Sequence, residues 1–327
     1  MTVIVSESEG QIDALDGQRV AVIGYGNQGR SWALNLRDSG IDAVVCVRAD
    51  SSRATAEADG FAVHDLVVGN DADVICVLVP DDVIPTLSLT PRPDAVVIVA
   101  SGYTLAFGRL DPHCDVGMVA PRMLGPEVRQ CYLEGTGFIT AVGVHRDVTG
   151  TARSRTLAVA KAIGGLRQGA IELTPEQEAV LDLAVEQALA PVLRRVSESF
   201  VQVMLECGVP LEAIITELVL SGEVERTYRR VRLEGGAAQI VYHSPTSQYG
   251  QLSRNDRYGH LDIAATMREV VADIASGRFA DEWDAERDAG YPHLEALRAK
   301  AMAPEILAFE AELRSKLGER AIPSPNP

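Results

Sequence analysis

The chain has 327 residues, of which 46% are hydrophobic and 23% are charged, and its formal net charge is −16. This length exceeds what a single hydrophobic core usually supports, and the composition is that of a globular protein, so we expect two soluble domains. The strongly negative charge argues against a nucleic-acid partner, because nucleic-acid phosphates bind to basic surfaces.

Signals of export and of membrane insertion are missing from the sequence. The first residues contain no basic segment followed by an apolar run, and no stretch of about 18 apolar residues occurs. Five cysteines are scattered along the chain, without a CxxC pair or the spacing of metal ligands. We therefore predict a cytoplasmic protein with reduced thiols and without a membrane partner.

The segment from Gln18 to about Thr140 alternates short β-branched runs with longer amphipathic stretches. This alternation is typical of a parallel sheet with crossover helices, and the continuous hydrophobic runs suit strands that helices cover on both faces. We assign residues 1–172 to an α/β Rossmann domain. Strands are predicted at 19–23, 43–47, 74–79, 95–99, 116–120 and 137–142, and helices at 28–39 and 52–59.

A glycine-rich turn follows the first predicted strand. Gly24, Gly26 and Gly29 form the pattern GxGxxG ahead of a helix that begins near Gln28. Gly24 allows the tight turn, Gly26 lets backbone amides approach a pyrophosphate, and Gly29 lets the helix pack on the strand. The helix N-terminus adds partial positive charge. We predict that this turn, with Tyr25 and Gln28, holds the pyrophosphate of a nicotinamide dinucleotide.

The second predicted strand ends in an arginine, where an NAD enzyme usually has an acidic residue. Arg48 is followed by Ser51, Ser52 and Arg53, and two guanidinium groups with two hydroxyls suit the 2′-phosphate of NADP(H). We therefore predict NADP(H). Asp50 in the same loop leaves NAD open as an alternative, because a carboxylate repels that phosphate. A solvated loop without a ligand is a further alternative.

Pro80 and Asp81 follow the predicted strand at 74–79. They lie at the carboxyl edge of the predicted sheet, where open α/β folds bind their ligands. We predict that both residues border the nicotinamide. A role of Asp81 and Asp82 as helix caps is the alternative.

Beyond about residue 173 the apolar residues take helical spacing, with almost no strand signal. We assign residues 173–320 to an all-helical domain and expect the proline-rich residues 321–327 to be disordered. Asp182 and Glu186 stand four residues apart on one helix face, and carboxylates suit Mg²⁺, although such pairs are also common on solvated faces. Helices are predicted at 175–207, with Thr174 as N-cap, and at 211–233, 263–276 and 304–317.

A series of motifs resembles the ketol-acid reductoisomerases, in order along almost the whole chain. The resemblance implies a Rossmann domain with a knotted helical domain, a homodimer or higher assembly, and a two-Mg²⁺ site at the domain and subunit interface. It also implies an NADPH-dependent conversion of 2-acetolactate by alkyl migration and reduction, in branched-chain amino acid biosynthesis. The motifs are GYGNQG at 24–29, VPDD at 79–82, APR at 120–122, IGG at 163–165, Asp182/Glu186, YG at 249–250, DIASGRFADEW at 273–283 and ALR at 296–298.

The same resemblance gives roles to individual residues in the helical half. Asp182 and Glu186 match a first pair of metal carboxylates, and Ser244 matches a substrate-binding serine. Glu217 matches the first acid of a second pair, whose partner is replaced here by Ser221. We therefore predict Asp182, Glu186 and Glu217 as metal ligands.

Two further departures from the family affect the chemistry. Ser101 replaces a histidine, and Arg122 replaces a lysine. Serine has no titratable imidazole, and arginine does not release a proton near neutral pH, so proton handling must differ. The predicted catalytic residues are Asp182, Glu186, Glu217, Arg122 and Ser244.

Three functions stay open on the sequence alone. The first is an NADPH-dependent, Mg²⁺-assisted reductoisomerase-like enzyme for a 2-acetolactate-like 2-hydroxy-3-oxo acid or a related substrate. The second is a 2-oxo acid or imine reductase without alkyl migration, which the replacements at Ser101, Arg122 and Ser221 favour. The third is a cofactor-binding protein without turnover.

Overall fold

Nine strands form one mixed sheet in the computed structural model, which describes residues 3–317. The tail expected at 321–327 lies outside these residues. The strand order is β1-β9-β8-β7-β6-β5-β2-β3-β4. The strands are β1 (Ile4–Val5), β2 (Val20–Ile23), β3 (Ala43–Cys46), β4 (Val63–His64), β5 (Val74–Val77), β6 (Val96–Val99), β7 (Asp115–Pro121), β8 (Thr140–Arg146) and β9 (Ala170–Glu172).

The helices flank the sheet in the first half of the chain and make up the second half. Two π-helical segments, Val185–Leu189 and Thr216–Leu220, interrupt the α-helices of the second half. The α-helices are α1 (Asn27–Asp38), α2 (Ser51–Ala58), α3 (Tyr103–Ala106), α4 (Gly125–Leu133), α5 (Ala152–Ala162), α6 (Pro175–Ala184), α7 (Ala190–Glu206), α8 (Leu211–Ile215), α9 (Glu223–Glu234), α10 (Pro245–Arg254), α11 (Ile263–Ala275), α12 (Arg278–Asp288), α13 (Pro292–Ala301) and α14 (Pro304–Lys316).

The central strands are buried on both faces, as their continuous apolar runs predict. In β2, Val20 and Val22 pack in the core on one face of the sheet, while Ala21 and Ile23 pack in the core on the other. Alternate residues of a strand point to opposite faces, so a strand between two helix layers needs an apolar residue at every position. This two-sided burial explains why β2, β5 and β6 were predictable from hydrophobicity alone.

The expectation of a parallel sheet is wrong on one side. β8 runs antiparallel to β7, and β1 runs antiparallel to β9. The connection between β7 and β8 does not cross the sheet. It contains α4, which packs beside α1, where the Ser31 hydroxyl donates to the Gly125 carbonyl oxygen at 2.8 Å. The chain therefore begins β8 at the edge where β7 ends and runs back along β7, and the Arg122 amide donates to the Ile139 carbonyl oxygen at 3.0 Å.

The predicted helix at 211–233 is divided in the structure. α8 is followed by a π-helical segment and then by Gly222, whose φ of +70° lies in the left-handed region and ends the helical run. The N-cap predicted at Thr174 is confirmed, because its hydroxyl accepts from the Gln177 amide at 3.2 Å.

The chain divides into two compact units. The first contains the residues up to Leu183 together with Ile274–Asp284, and it holds the whole sheet. Within it, Arg109 donates to Asp281 at 2.6 Å and to Asp284 at 3.0 Å. The second unit contains Ala184–Asp273 and the residues from Ala285 onward. The boundary expected between residues 172 and 173 stays a prediction. Among the described helices, none is long and apolar enough to cross a membrane.

Candidate active site

The glycine turn connects β2 to α1. Gly24 has a φ of +97°, and a Cβ at this position would lie 2.8 Å from the Leu78 carbonyl oxygen. A Cβ on Gly29 would lie 2.2 Å from the carbonyl oxygen of Gly24. Around Gly26, by contrast, no atom other than those of its chain neighbours lies within 4 Å of the Cβ position. Two glycines therefore build the turn, and the third leaves open space at the N-terminus of α1.

Three cavities follow one another along the carboxyl edge of the sheet. One of about 190 Å³ lies over the turn and reaches Arg48 and Asp50. It shares Gly26 and Pro80 with a cavity of about 350 Å³ that extends to Ser101, and it shares Arg48 with a largely aliphatic cavity of about 320 Å³. Such a cleft suits a dinucleotide with its adenosine near Arg48 and its nicotinamide near Ser101.

The loop after β3 has much of its charge compensated from within the chain. Arg48 is 69% exposed and lies 3.6 Å from the Asp50 carboxylate. Asp50 caps α2 by accepting from the Ser52 amide and hydroxyl, and these hydrogen bonds hold the pKa of its carboxyl below the usual value. Arg53 donates to Asp65 at 2.5 Å. Of the two predicted arginines, Arg48 is the one that lines the cleft, while Ser51 begins α2 at an exposed position.

The side chains of Tyr25 and Gln28 lie within the fold of the first unit. Tyr25 is 6% exposed, and its hydroxyl donates to Asp59 at 2.9 Å, beside the bidentate ion pair of Asp59 with Arg30. The Gln28 side chain accepts from the Trp32 indole at 3.1 Å. Both residues border the cleft, but these bonds direct their side chains toward the protein. We therefore expect these two residues to contact the cofactor through their backbone atoms rather than through their side chains.

Pro80 and Asp81 line the 350 Å³ cavity together with Ser101. The Pro80 carbonyl oxygen accepts from the Val83 amide at 2.9 Å, which closes a turn directly after β5. The Ser101 hydroxyl accepts from the Tyr103 amide at 3.1 Å. This bond uses an acceptor site of the hydroxyl and leaves its hydrogen for a second partner.

Arg122 lies at the end of β7 and joins the sheet to α6. Its guanidinium donates to Glu178 Oε1 at 2.5 Å and, with its other terminal nitrogen, to Asp182 Oδ1. The second oxygen of Glu178 accepts from the Gly102 amide at 2.6 Å, next to Ser101. We call Arg122, Glu178, Asp182 and the Gly102 amide the Arg122 cluster. It brings two predicted catalytic residues, Arg122 and Asp182, together.

Glu178 is the member of this cluster that the sequence analysis missed. Its side chain is 1% exposed, and burial raises the pKa of its carboxyl, against the opposing effects of the Gly102 hydrogen bond and of Arg122. A carboxylate so deeply buried requires charged or hydrogen-bonding partners. The available signal was its position, four residues before Asp182 on the same helix.

The other predicted acids belong to the second unit. Glu186 lies in the π-helical segment Val185–Leu189, and the exposed Glu217 lies in the π-helical segment Thr216–Leu220. π-Helical turns are rare and occur often at functional sites. Ser244 is exposed and caps α10 by accepting from the Ser247 amide at 3.3 Å. Within residues 3–317, no three acidic, histidine or cysteine side chains are grouped as a metal would require.

Comparisons with known proteins match both halves of the chain. Residues 14–169 match the family model for the NADPH-binding domain of acetohydroxy acid isomeroreductase, and residues 176–319 match that for the C-terminal domain of ketol-acid reductoisomerase. A ketol-acid reductoisomerase (NADP(+)) of Caldivirga maquilingensis is 36% identical over 304 residues, covering 90% of this chain and 92% of that protein. One of Saccharolobus solfataricus is 35% identical over 299 residues, covering 88% and 89%.

A solved structure extends this similarity to the fold. This structure is of an NADH-preferring ketol-acid reductoisomerase from an uncultured archean, and it matches with a TM-score of 0.90 and 30% identity. The match covers 97% of this chain and 100% of that one. The predicted Rossmann domain with a helical C-terminal domain is confirmed, and so is the prediction of an NADP-dependent oxidoreductase.

Proposed function

The chain belongs to the ketol-acid reductoisomerase family, and we propose that it isomerises and reduces a 2-acetolactate-like 2-hydroxy-3-oxo acid with NADPH and Mg²⁺. One observation carries this proposal. The hydrogen bond from the Gly102 amide to Glu178 joins α6 to the loop that carries Ser101, which lines the cofactor cleft. Asp182, on the same helix, therefore belongs to the sheet edge where a nicotinamide would deliver its hydride.

We propose Asp182, Glu186 and Glu217 as metal ligands on the family resemblance, since the described residues of one chain do not group three such side chains. Their carboxylate oxygens are the donors that Mg²⁺ prefers, and Asp182 is 40% exposed, so its carboxylate is accessible to a hydrated ion. Bound Mg²⁺ would polarise the ketol oxygens of the substrate. Arg122 would stay positively charged beside Asp182, because a guanidinium releases no proton near neutral pH.

The substrate has two proposed contacts besides the acids. Ser244 would donate a hydrogen bond to a substrate oxygen, and Ser101 would use its hydroxyl hydrogen in the same way from the cleft. Neither serine replaces the histidine of the family as a titrating group. We therefore place proton transfer on the substrate and on water rather than on residue 101.

We propose that the chain prefers NADPH to NADH, because the exposed Arg48 lines the adenosine end of the cleft. Gly24, Gly26 and Gly29 would hold the pyrophosphate, with Arg48, Ser51 and Ser52 around the 2′-phosphate and Pro80 and Asp81 beside the nicotinamide. The Asp50 carboxylate in the same cavity favours NADH instead. The ratio of kcat/KM for NADPH to that for NADH decides between them, and a ratio below one rejects our choice.

A second copy of the chain is the proposed partner. Along α7, Leu193, Val196, Phe200 and Val203 recur at helical spacing and are 50%, 58%, 41% and 49% exposed. An exposed apolar stripe of this kind is typical of an association surface. We propose a homodimer or higher assembly, acting in the cytoplasm in branched-chain amino acid biosynthesis. Light scattering of the purified chain would measure the mass, and a monomer at micromolar concentration contradicts the proposal.

Turnover separates the proposed function from its alternatives. We expect the purified chain with Mg²⁺ to oxidise NADPH with 2-acetolactate and with the rearranged acid, 3-hydroxy-3-methyl-2-oxobutyrate. Oxidation with the rearranged acid alone would support a simple 2-oxo acid reductase, which the replacements Ser101 and Arg122 favour. If calorimetry shows that NADPH binds, but no 2-oxo acid or imine oxidises it, the result would support a cofactor-binding protein without turnover.

A further inference from the structure

The Arg122 cluster contains two carboxylates and one cation. Glu178 is buried and held by the Gly102 amide, so it cannot turn away from the guanidinium. Asp182 is the exposed member, and its Oδ1 accepts from the second terminal nitrogen of Arg122. The buried acid therefore anchors the arginine, and the anchored arginine reaches the accessible acid.

This geometry has a consequence for any cation that approaches Asp182. The guanidinium hydrogen bond occupies a lone pair of Asp182 Oδ1, and the positive charge behind it repels a divalent ion that approaches either carboxylate oxygen. Arginine stays charged at every physiological pH, so this obstruction does not depend on proton release. A lysine would differ, because its ammonium is a compact point charge that cannot span two carboxylates with a planar fork.

We propose that Arg122 is an internal cation that competes with a metal ion for the Asp182 carboxylate. The resting protein then holds Asp182 Oδ1 on Arg122, and a metal ion that binds either carboxylate oxygen does so against the positive charge of the guanidinium. Arg122 is a positioning residue in this scheme, and it lowers rather than raises the metal affinity of the carboxylate. The inference rests on the proposed function only for the assignment of Asp182 as a metal ligand.

Calorimetric titration of the full-length chain with Mg²⁺ alone tests the sign of the effect. We expect Arg122→Gln to bind Mg²⁺ about tenfold more tightly than the unaltered chain, since it removes both a hydrogen bond and a repelling charge. Arg122→Lys should fall between the two. Equal or weaker binding by Arg122→Gln would overturn the proposal, since it would mean that Arg122 orients Asp182 for the metal.

A second pair of variants ties the effect to the two acids. Arg122→Gln combined with Asp182→Asn should lose the gain, and a gain that survives this change overturns the proposal. Arg122→Gln combined with Glu178→Gln pairs two amides in the interior, so it also removes the buried Glu178 charge that Arg122→Gln alone would leave uncompensated. This double variant should keep the gain, and its thermal melting checks that it folds.

The chain offers a matched control in Arg153. This arginine is also shared by two carboxylates of the first unit, with Glu172 at 3.4 Å and Glu9 at 3.7 Å. Arg153→Gln removes the same charge, so an equal gain in Mg²⁺ affinity there would overturn the proposal. The titrations contain neither NADPH nor substrate, so they are independent of turnover. Absence of Mg²⁺ binding in every variant would reject Asp182 as a ligand, whether or not the chain reduces ketol acids.

Discussion

The glycine turn and the Arg122 cluster both belong to the carboxyl edge of the sheet in the first unit, but they are built differently. The turn consists of six consecutive residues, and backbone geometry alone gives it its shape. In the cluster, Arg122 is 56 residues from Glu178 and 60 from Asp182 along the chain, and charged side chains make the contacts. The cofactor side is therefore a product of local sequence, whereas the substrate side exists only once the chain has folded.

This difference predicts that damage to one region leaves the other intact. Variants of the turn should change cofactor affinity or stability, since they alter backbone space. Variants of the cluster should change turnover and metal binding while NADPH still binds.

Asp182→Asn should have the largest effect on turnover. It keeps the size of the side chain but removes the charge that would hold a metal ion, so we expect kcat to fall by a factor on the order of 100 to 1,000. NADPH affinity, measured by fluorescence titration, should stay unchanged. Glu176→Gln, at an exposed position of the same helix α6, is the control and should retain activity. A parallel loss of NADPH binding in Asp182→Asn would contradict the separation of the two regions.

Gly29→Ala should mainly destabilise the first unit. The added methyl group would lie 2.2 Å from the Gly24 carbonyl oxygen, so α1 must move, at a cost of about 3 kcal/mol in the free energy of unfolding. Denaturant unfolding measures this change.

Gly26→Ala is the matched variant for Gly29→Ala, because its methyl group enters open space. We expect it to keep the unfolding midpoint and to bind NADPH at least about tenfold more weakly, since the methyl group lies where a pyrophosphate would approach.

Arg48→Gln should weaken NADPH relative to NADH. A charge-assisted hydrogen bond to the 2′-phosphate would disappear, which we expect to raise KM for NADPH about tenfold and to leave KM for NADH unchanged. Asp50→Asn should act in the opposite direction by a smaller factor, since asparagine still caps α2 while the repelling charge is lost. Equal changes for the two cofactors would show that this loop does not contact the 2′-phosphate.

Asp59→Asn should have the smallest effect, on stability and its pH dependence. The Arg30 hydrogen bond chiefly holds the pKa of Asp59 below its usual value, against a smaller opposing effect of burial. A depressed pKa stabilises the folded state above the ordinary pKa of 3.8, and this contribution is lost as the pH falls through the folded-state pKa. At pH 7 we expect the variant to be about 1 kcal/mol less stable. The difference should shrink below pH 4 in thermal melts, with the exposed Asp42→Asn as control.

The sequence was sufficient where neighbouring residues decide the structure. The apolar runs of β2, β5 and β6 and the glycine turn depend on residues a few positions apart, and their positions were predictable. It was insufficient where distant segments meet. The direction of β8 depends on the packing of α4 beside α1, and the partners of Glu178 come from β7 and from the loop after β6. Spacing along one helix cannot indicate such contacts.

The candidate site follows the same rule. Arg122 and Asp182 were predicted as separate catalytic residues, and their ion pair was not, because nothing in either local sequence points to the other. The NADP prediction from the loop at 48–53 had a related weakness. It counted Arg48 and Arg53 equally, but Arg53 forms an ion pair with Asp65, twelve residues later, whereas Arg48 lines the cleft. Intramolecular partners decide which of several charges is available to a ligand.

Glu186 and Glu217 each lie in a π-helical turn, which has a wider hydrogen-bond ring than an α-helical turn. Each of these turns is equivalent to one residue inserted into an α-helix. Deleting that residue would restore the regular helix, but it would rotate the rest of the segment by about 100° around the axis. Substitutions of the neighbouring apolar residues keep the register, whereas a change of length does not. The number of residues in these two turns therefore fixes the direction of each carboxylate, so a change in length would misplace an acid that a substitution elsewhere in the turn would leave in position.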